Sequence, residues 1–227
     1  MIDKILPNRG NGENEMIILN DLIQFLKDYP GMSRVPWLGY GICLRGILRF
    51  KANTAGENEV EDFYKLEIVV PHGFPQDLPR VKEIDNKIPR DGNFHVNPDG
   101  TLCLGSPLRL LEKIYNTPSL SGFTEKCLIP YLYAVSHKLM HGGNFVFGEL
   151  AHGEQGIVDD YLTVLGLQEK DQITQAIQLL GVKKRVANKN MCPCGCGKRL
   201  GVCPYRYKLN EFRKMAPMSW FRMNTLM

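Results

Sequence analysis

Two stretches of alternating polarity, GICLRGILRFKA over residues 41–52 and VEDFYKLEIVVP over residues 60–71, constrain the fold of this chain more than any other feature. Each keeps apolar and polar side chains on opposite faces, which is the pattern of a strand covered on one side only. The polar turn NTAGENE joins them, so the second reads as the hairpin partner of the first, with Cys43 in its core. The connection that follows, PHGFPQDLP, carries Pro71, Pro75 and Pro79. Prolines at that density forbid helix and favour an extended crossing. RVKEIDNKIP then reads as a third extended piece, so a three-strand meander is expected.

Ahead of the meander, residues 1–15 are polar and read as a lead. MIILNDLIQFLKDYPG gives one helical face of Ile18, Leu22, Ile23, Phe25 and Leu26, stopped by Pro30 and Gly31. Residues 31–40 read as a loop carrying Trp37.

The meander leads into FHVNPDGTLCLG, residues 94–105. Asn97, Pro98, Asp99 and Gly100 form a turn tetrad in which Pro98 sets φ at the second position and Gly100 supplies the permissive fourth. Cys103 therefore follows a sharp reversal. Leu102 and Leu104 flank it and anchor a short extended piece, which points the thiol to the opposite face. A cysteine held in this way is a candidate nucleophile, since reactive thiols are the accessible ones.

After Gly105 the chain becomes helical. Phe123, Cys127, Tyr131, Val135 and Leu139 recur every four residues, with Pro130 as a kink. A Gly-rich loop carrying His141, Glu149, His152 and Glu154 comes next. IVDDYLTVL and EKDQITQAIQLL read as two short helices ended by Gly166 and Gly181.

No run approaches the length that spans a bilayer, and MIDKILPNRGNGENE has no apolar signal core, so a cytoplasmic, non-membrane protein is expected. Seven cysteines, four of them between Cys192 and Cys203, argue for metal rather than a disulfide framework. Of 28 basic and 24 acidic residues, eleven basic and one acidic, Glu211, lie from residue 183 onward. The first 182 residues are left with 17 basic and 23 acidic. Residues 183–227 thus read as a basic, cysteine-rich tail on an acidic body of residues 1–182.

Taken together, a leading helix, a meander, a Pro-rich crossing, a cysteine after a turn and then helices resemble the ubiquitin-conjugating (UBC) fold, in particular its bacterial members. The resemblance covers about residues 16–165. Phe74, Pro75 and Pro79 match the family's aromatic followed by spaced prolines, and Gly100, Thr101, Leu102, Cys103 and Leu104 match the end of its catalytic segment. Where eukaryotic members carry an asparagine eight residues before the cysteine, this chain has His95, as bacterial relatives do.

The resemblance implies an α+β UBC-like fold and acyl transfer through a thioester on Cys103. The donor would be the C-terminus of a ubiquitin-like protein or of a cyclic-oligonucleotide synthase, the acceptor an amine, and the setting bacterial antiphage defence. His95 would hydrogen-bond the developing oxyanion, deprotonate the amine or depress the thiol pKa, three roles that the residues leave open. Asn97, Asp99 and Gly100 would support the site, with Asp99 either orienting an acceptor ammonium or serving the turn alone. The chain shows no Gly-rich nucleotide site, so any activation would come from elsewhere; some systems of this kind supply a separate activating enzyme and some do not.

MCPCGCGKRLGVCPYR, residues 191–206, is similar to the SEC-C zinc motif at Cys192, Pro193, Cys194, Gly195, Gly197, Lys198, Arg199 and Cys203. It departs at Cys196, which replaces a serine, and at Pro204, which stands where the fourth ligand belongs. Structural zinc takes four ligands, so Cys196 is the expected local substitute.

The basic residues around the motif raise nucleic-acid binding as a less favoured role than protein docking. The terminal MAPMSWFRMNTLM reads as a packed tail. A zinc-deaminase reading of His152, Glu154, Cys194 and Cys196 fails, because that pattern needs two residues between its cysteines. The remaining alternative to an enzyme is a non-catalytic UBC-like binding module acting through the tail.

Overall fold

The computed structural model describes residues 11–53, 59–146 and 153–224, the first eight of these by backbone alone. Helix α1 (Asn11–Asp28) leads into a four-stranded antiparallel sheet of β1 (Met32–Val35), β2 (Ile42–Ala52), β3 (Val60–Val70) and β4 (Arg80–Glu83), whose spatial order follows the chain. The class is α+β.

The β2–β3 hairpin forms as its alternation dictates, pairing Ile42 with Val70 through to Ala52 with Val60. Leu44, Leu48 and Phe50 from one strand and Tyr64, Leu66 and Ile68 from the other bury the same face. That face packs on α1 and on the helical segment of residues 120–141.

Three local expectations change. Residues 31–40, read as a loop, contain the edge strand β1, which pairs with Cys43–Gly46. A Cβ on Gly46 would lie 2.1 Å from the Gly31 carbonyl oxygen, so only glycine lets the chain enter β1 this close to β2. The third extended piece is shorter than expected. Its ladder ends at Glu83, whose carboxylate accepts from the Asp85 (2.6 Å) and Ile88 (3.4 Å) amides and turns the chain. Helix α1 starts at Asn11, inside the stretch read as a lead, and Ile23 faces solvent while Leu22 and Phe25 are buried.

Beyond the sheet come α2 (Pro107–Ile114), α3 (Leu120–Phe123), a π-helical turn over Thr124–Leu128 and α4 (Ile129–His141). The π turn stands where a kink at Pro130 was expected. Proline has no N–H for the turn before it, and the wider turn accommodates the loss by letting the Ile129 amide reach the Thr124 carbonyl.

The remaining helices are α5 (Gly153–Leu165), α6 (Lys170–Leu180), α7 (Lys184–Ala187), α8 (Tyr205–Met215) and α9 (Met218–Met223). Glu154 lies in the first turn of α5 and meets Lys170 at 2.5 Å, whereas Glu149 and His152 fall outside the described residues. Among the described residues no helix is long and apolar enough to cross a membrane.

The apolar side chains form two cores. One joins the sheet to α1 and α3–α4, and the other gathers α5, α6, α8, α9 and the cysteine-rich loop. The second core draws on both sides of residue 182. Trp220 and Phe221 are buried in it, and Trp220 Nε1 donates to the Gln76 carbonyl at 3.0 Å, so these two aromatics pack on the body, whereas Met223 is exposed and residues 225–227 of the stretch read as a packed tail lie outside the described residues.

Helix α2 belongs to both cores. Ser106 caps its N-terminus and Pro107 starts it. Leu110 and Ile114 then enter the first core, while Leu108 and Leu111 enter the second.

Candidate functional site

Residues 95–103 form a small hairpin on the free edge of the sheet. The Gly100 amide bonds the Asn97 carbonyl (2.8 Å), and the Asn97 amide bonds the Thr101 carbonyl (2.8 Å). With Gly100 at φ 81° this is a type I turn closed by a left-handed glycine, so the expected tetrad performs the reversal. Leu102 donates to the Val81 carbonyl (2.8 Å), which joins the hairpin to β4.

The side chains of Asn97 and Asp99 are spent on the turn. Asp99 Oδ1 accepts from the Thr101 hydroxyl (2.6 Å) and amide (3.0 Å), and Asn97 Nδ2 donates to the same hydroxyl (3.0 Å). The Thr101 hydroxyl first, and its amide second, hold the Asp99 carboxyl below its usual range. Asp99 is thus a turn strut.

Leu102 is buried, Leu104 is partly buried and Cys103 is exposed, as the alternation predicts. The Cys103 amide donates to the His95 carbonyl at 2.8 Å, which sets the two residues opposite one another at the end of the hairpin. Both line a groove of about 1320 Å³, which Ser106, Arg109, Tyr131 and Phe145 also line.

His95 is held from α4. A short turn, Gly92–Phe94, ends on His95 in the left-handed conformation (φ 52°, ψ 45°). Tyr131 donates its hydroxyl to the Phe94 carbonyl (2.7 Å), and Lys138 Nζ donates to the Asn93 carbonyl (2.9 Å) while lying over the Phe94 and Phe145 rings. The Phe145 ring meets the imidazole edge-on, with centroids 4.9 Å apart. Burial, and then the neighbouring Cys103 sulfur, push the Tyr131 hydroxyl far above its ordinary pKa, so it remains a donor.

Beneath the groove Asp160 of α5 is buried. It accepts from Ser106 Oγ (2.5 Å) and pairs with Arg109. These contacts tie the segment after Cys103 to the second core.

Sequence reading assigned Tyr131 only to a helix stripe and missed Phe145, Arg109 and Asp160 as site residues. Each reaches the groove from a different element. Only Ser106-Pro107 carried a local signal, that of a helix start.

The second constellation is complete. Cys192, Cys194, Cys196 and Cys203 bring their sulfurs within 4.8 Å of one another, with separations of 3.2 Å (Cys192–Cys194) and 3.6 Å (Cys194–Cys203 and Cys196–Cys203). A tetrahedral thiolate centre with bonds of about 2.3 Å has edges of about 3.8 Å, so the four can hold a metal ion.

Two left-handed glycines, Gly195 (φ 77°) and Gly197 (φ 70°), fold the knuckle. The Cys192 amide bonds the Lys198 carbonyl at 2.8 Å. Cys203 arrives from the short turn ahead of α8. Cys196 stands with the other three, whereas Pro204 caps α8 and is exposed.

Comparison of the chain with protein-family models, with curated proteins and with solved structures finds no match in any of the three.

Proposed function

We propose that this chain is a ubiquitin-conjugating-like acyl carrier that forms a thioester on Cys103 and passes the acyl group to an amine. The observation that carries the reading is the exposed Cys103 at the end of a tight hairpin, opposite His95 and at the mouth of a groove. The order of elements supports a UBC-like fold over about residues 16–165: helix, four-strand antiparallel meander, cysteine hairpin, helices.

In the first step the Cys103 sulfur attacks the carbonyl carbon of an activated C-terminal glycyl group. A sulfur–carbon bond forms, and the activating enzyme's thiolate leaves. In the second step an amine attacks the same carbon, the sulfur–carbon bond breaks and the amine proton passes to solvent. The His95 imidazole is suited to donate a hydrogen bond to the oxyanion that develops in both.

The donor classes, a ubiquitin-like protein or a cyclic-oligonucleotide synthase, and the defence setting rest on the resemblance in residues 94–105. The four-cysteine centre is read as structural Zn²⁺, because four thiolates with two buried sulfurs leave no open position for substrate. Thiol chemistry at Cys103 requires a reducing compartment, hence the cytoplasm.

The test is intact mass under non-reducing conditions of protein co-expressed with its genomic neighbours, before and after dithiothreitol. A thiol-labile protein adduct that disappears in Cys103→Ala is expected, and its mass identifies the donor. If no adduct forms, and Cys103→Lys traps none as a stable amide, the thioester reading is wrong and a binding module acting through the tail replaces it.

A further inference from the structure

Helix α4 carries two histidines one turn apart, His137 and His141, and neither lines the groove beside Cys103. Residues four apart lie one above the other on the same helix face. Here the two imidazole centroids are 4.7 Å apart and the ring planes are tilted by 51°, so the rings are neighbours without being stacked face to face. His137 is half-buried and turns Nδ1 inward, which leaves Nε2 as its nitrogen toward the surface. Tyr133, one turn earlier, lies along the His137 ring with centroids 6.2 Å apart and restrains it. His141 is exposed at the end of the helix.

That separation is the one two imidazoles adopt when they share a metal ion. A metal–imidazole bond of about 2.0–2.1 Å sets each ring centroid about 3.2 Å from the ion, and N–metal–N angles of about 90–109° then place the centroids about 4.5–5.2 Å apart. The location also favours a cation, because the C-terminal end of a helix carries the negative pole of its dipole. Lys138, the other cationic side chain of this turn, is drawn away to the Asn93 carbonyl (2.9 Å) and over the Phe94 and Phe145 rings.

We propose that His137 and His141 chelate a divalent transition-metal cation such as Zn²⁺ or Ni²⁺ at the end of α4, in a site built from none of the four clustered cysteines. Imidazole pairs suit these ions, whereas Mg²⁺ and Ca²⁺ take oxygen ligands. Two protein ligands leave the remaining positions to water, so this ion exchanges with solvent, unlike one closed in by four thiolates. Its effect is on the last turn of α4. The Gly142 amide bonds the Lys138 carbonyl there (2.8 Å), and the Lys138 side chain in turn holds the Asn93 carbonyl ahead of His95. A cation bridging His137 and His141 spans that turn and stiffens it. The cation site is independent of the chemistry assigned to Cys103.

The test uses the full chain as purified, with its metal content measured first. Uptake of added Zn²⁺ beyond that content is read by equilibrium dialysis, and amide exchange over residues 129–142 is followed by mass spectrometry. The native chain should take up one more Zn²⁺ ion than His141→Ala, a substitution at an exposed position that leaves the core intact. His137→Gln provides a second variant that should lose the same ion, and circular dichroism establishes that both remain folded. Exchange in the last turn of α4 should slow when Zn²⁺ is added to the native chain and stay unchanged in either variant. Cys103→Ala should keep the extra ion, and Mg²⁺ or Ca²⁺ should leave exchange as it was. Equal uptake by the native chain and His141→Ala, loss of the extra ion in Cys103→Ala, or a last turn whose exchange Zn²⁺ does not slow would each overturn the proposal.

Discussion

His95 adopts a left-handed backbone conformation that disfavours side chains with a Cβ by about 1–2 kcal/mol. That position is held by the Tyr131 and Lys138 hydrogen bonds to the two preceding carbonyls. Replacing His95 separates the backbone from the ring. His95→Gly relieves the conformation and removes the donor, so stability should hold or rise while acyl transfer falls about a hundredfold. His95→Asn tolerates the same φ and restores an N–H donor, and should retain transfer to within about tenfold of the native protein. Single-turnover decay of the Cys103 adduct measures both, and decay of the His95→Gly adduct at the native rate would remove His95 from the chemistry. Tyr131→Phe keeps the ring packed and deletes the bond to the Phe94 carbonyl, for a stability loss of about 1 kcal/mol in urea denaturation. If Tyr131 acts by positioning His95, its effect on transfer should vanish in the His95→Gly background.

Between elements, the sheet is joined to α4 by a polar chain at the edge of the apolar face. Lys87 Nζ donates to Asp62 (2.5 Å), Ser136 Oγ donates to Asp62 (2.7 Å), and Ser136 shares a hydrogen bond with the Tyr64 hydroxyl (2.7 Å). Burial pushes the Asp62 carboxyl up. The hydrogen bonds from Lys87, Ser136 and the Phe63 amide, with the Lys87 charge, outweigh it, so the folded pKa lies below the ordinary 3.8. A carboxyl depressed in this way contributes stability above its unfolded pKa and loses it as the pH falls through the folded one. Asp62→Asn should therefore cost about 1 kcal/mol at neutral pH and nothing once the native carboxyl is protonated. Urea midpoints at neutral and acid pH test this, and a difference that persists in acid would show that the network is not electrostatic. Such pairings are what residue order conceals. The β2–β3 hairpin and the turn before Cys103 are legible because period and turn chemistry are local. β1 is not legible, because its four residues show no period and form a strand only when paired with Cys43–Gly46. Nor does any local signal join Asp160 to Ser106 across 54 positions, or place Phe145 on His95. The knuckle is legible as to its cysteines, and the folding of Gly195 and Gly197 brings Cys196 to the other three.

For the whole molecule, α2 is the link between the groove and the four-cysteine cluster. It begins four residues after Cys103, gives Leu110 and Ile114 to the core under the sheet, and gives Leu108 and Leu111 to the core that contains Cys192 and Cys203. Structural zinc in small modules binds with about 10–16 kcal/mol, which is comparable with the total stability of a domain, about 5–15 kcal/mol. Removing the metal from Cys192, Cys194, Cys196 and Cys203 would leave four crowded thiols within 4.8 Å in place of a crosslink, and the second core would lose its C-terminal half. The groove would then lose the wall built from Ser106, Arg109 and Asp160, although no metal touches it. Purified protein should hold close to one zinc ion per chain, and chelation or Cys203→Ser should lower its melting temperature. Adduct formation at Cys103 should slow in the same samples. Cys103→Ala, conversely, should abolish the adduct and leave metal content and melting temperature unchanged. Chelated protein that melts as before and charges Cys103 at the native rate would show that the two cores are independent and that α2 is held by the sheet alone.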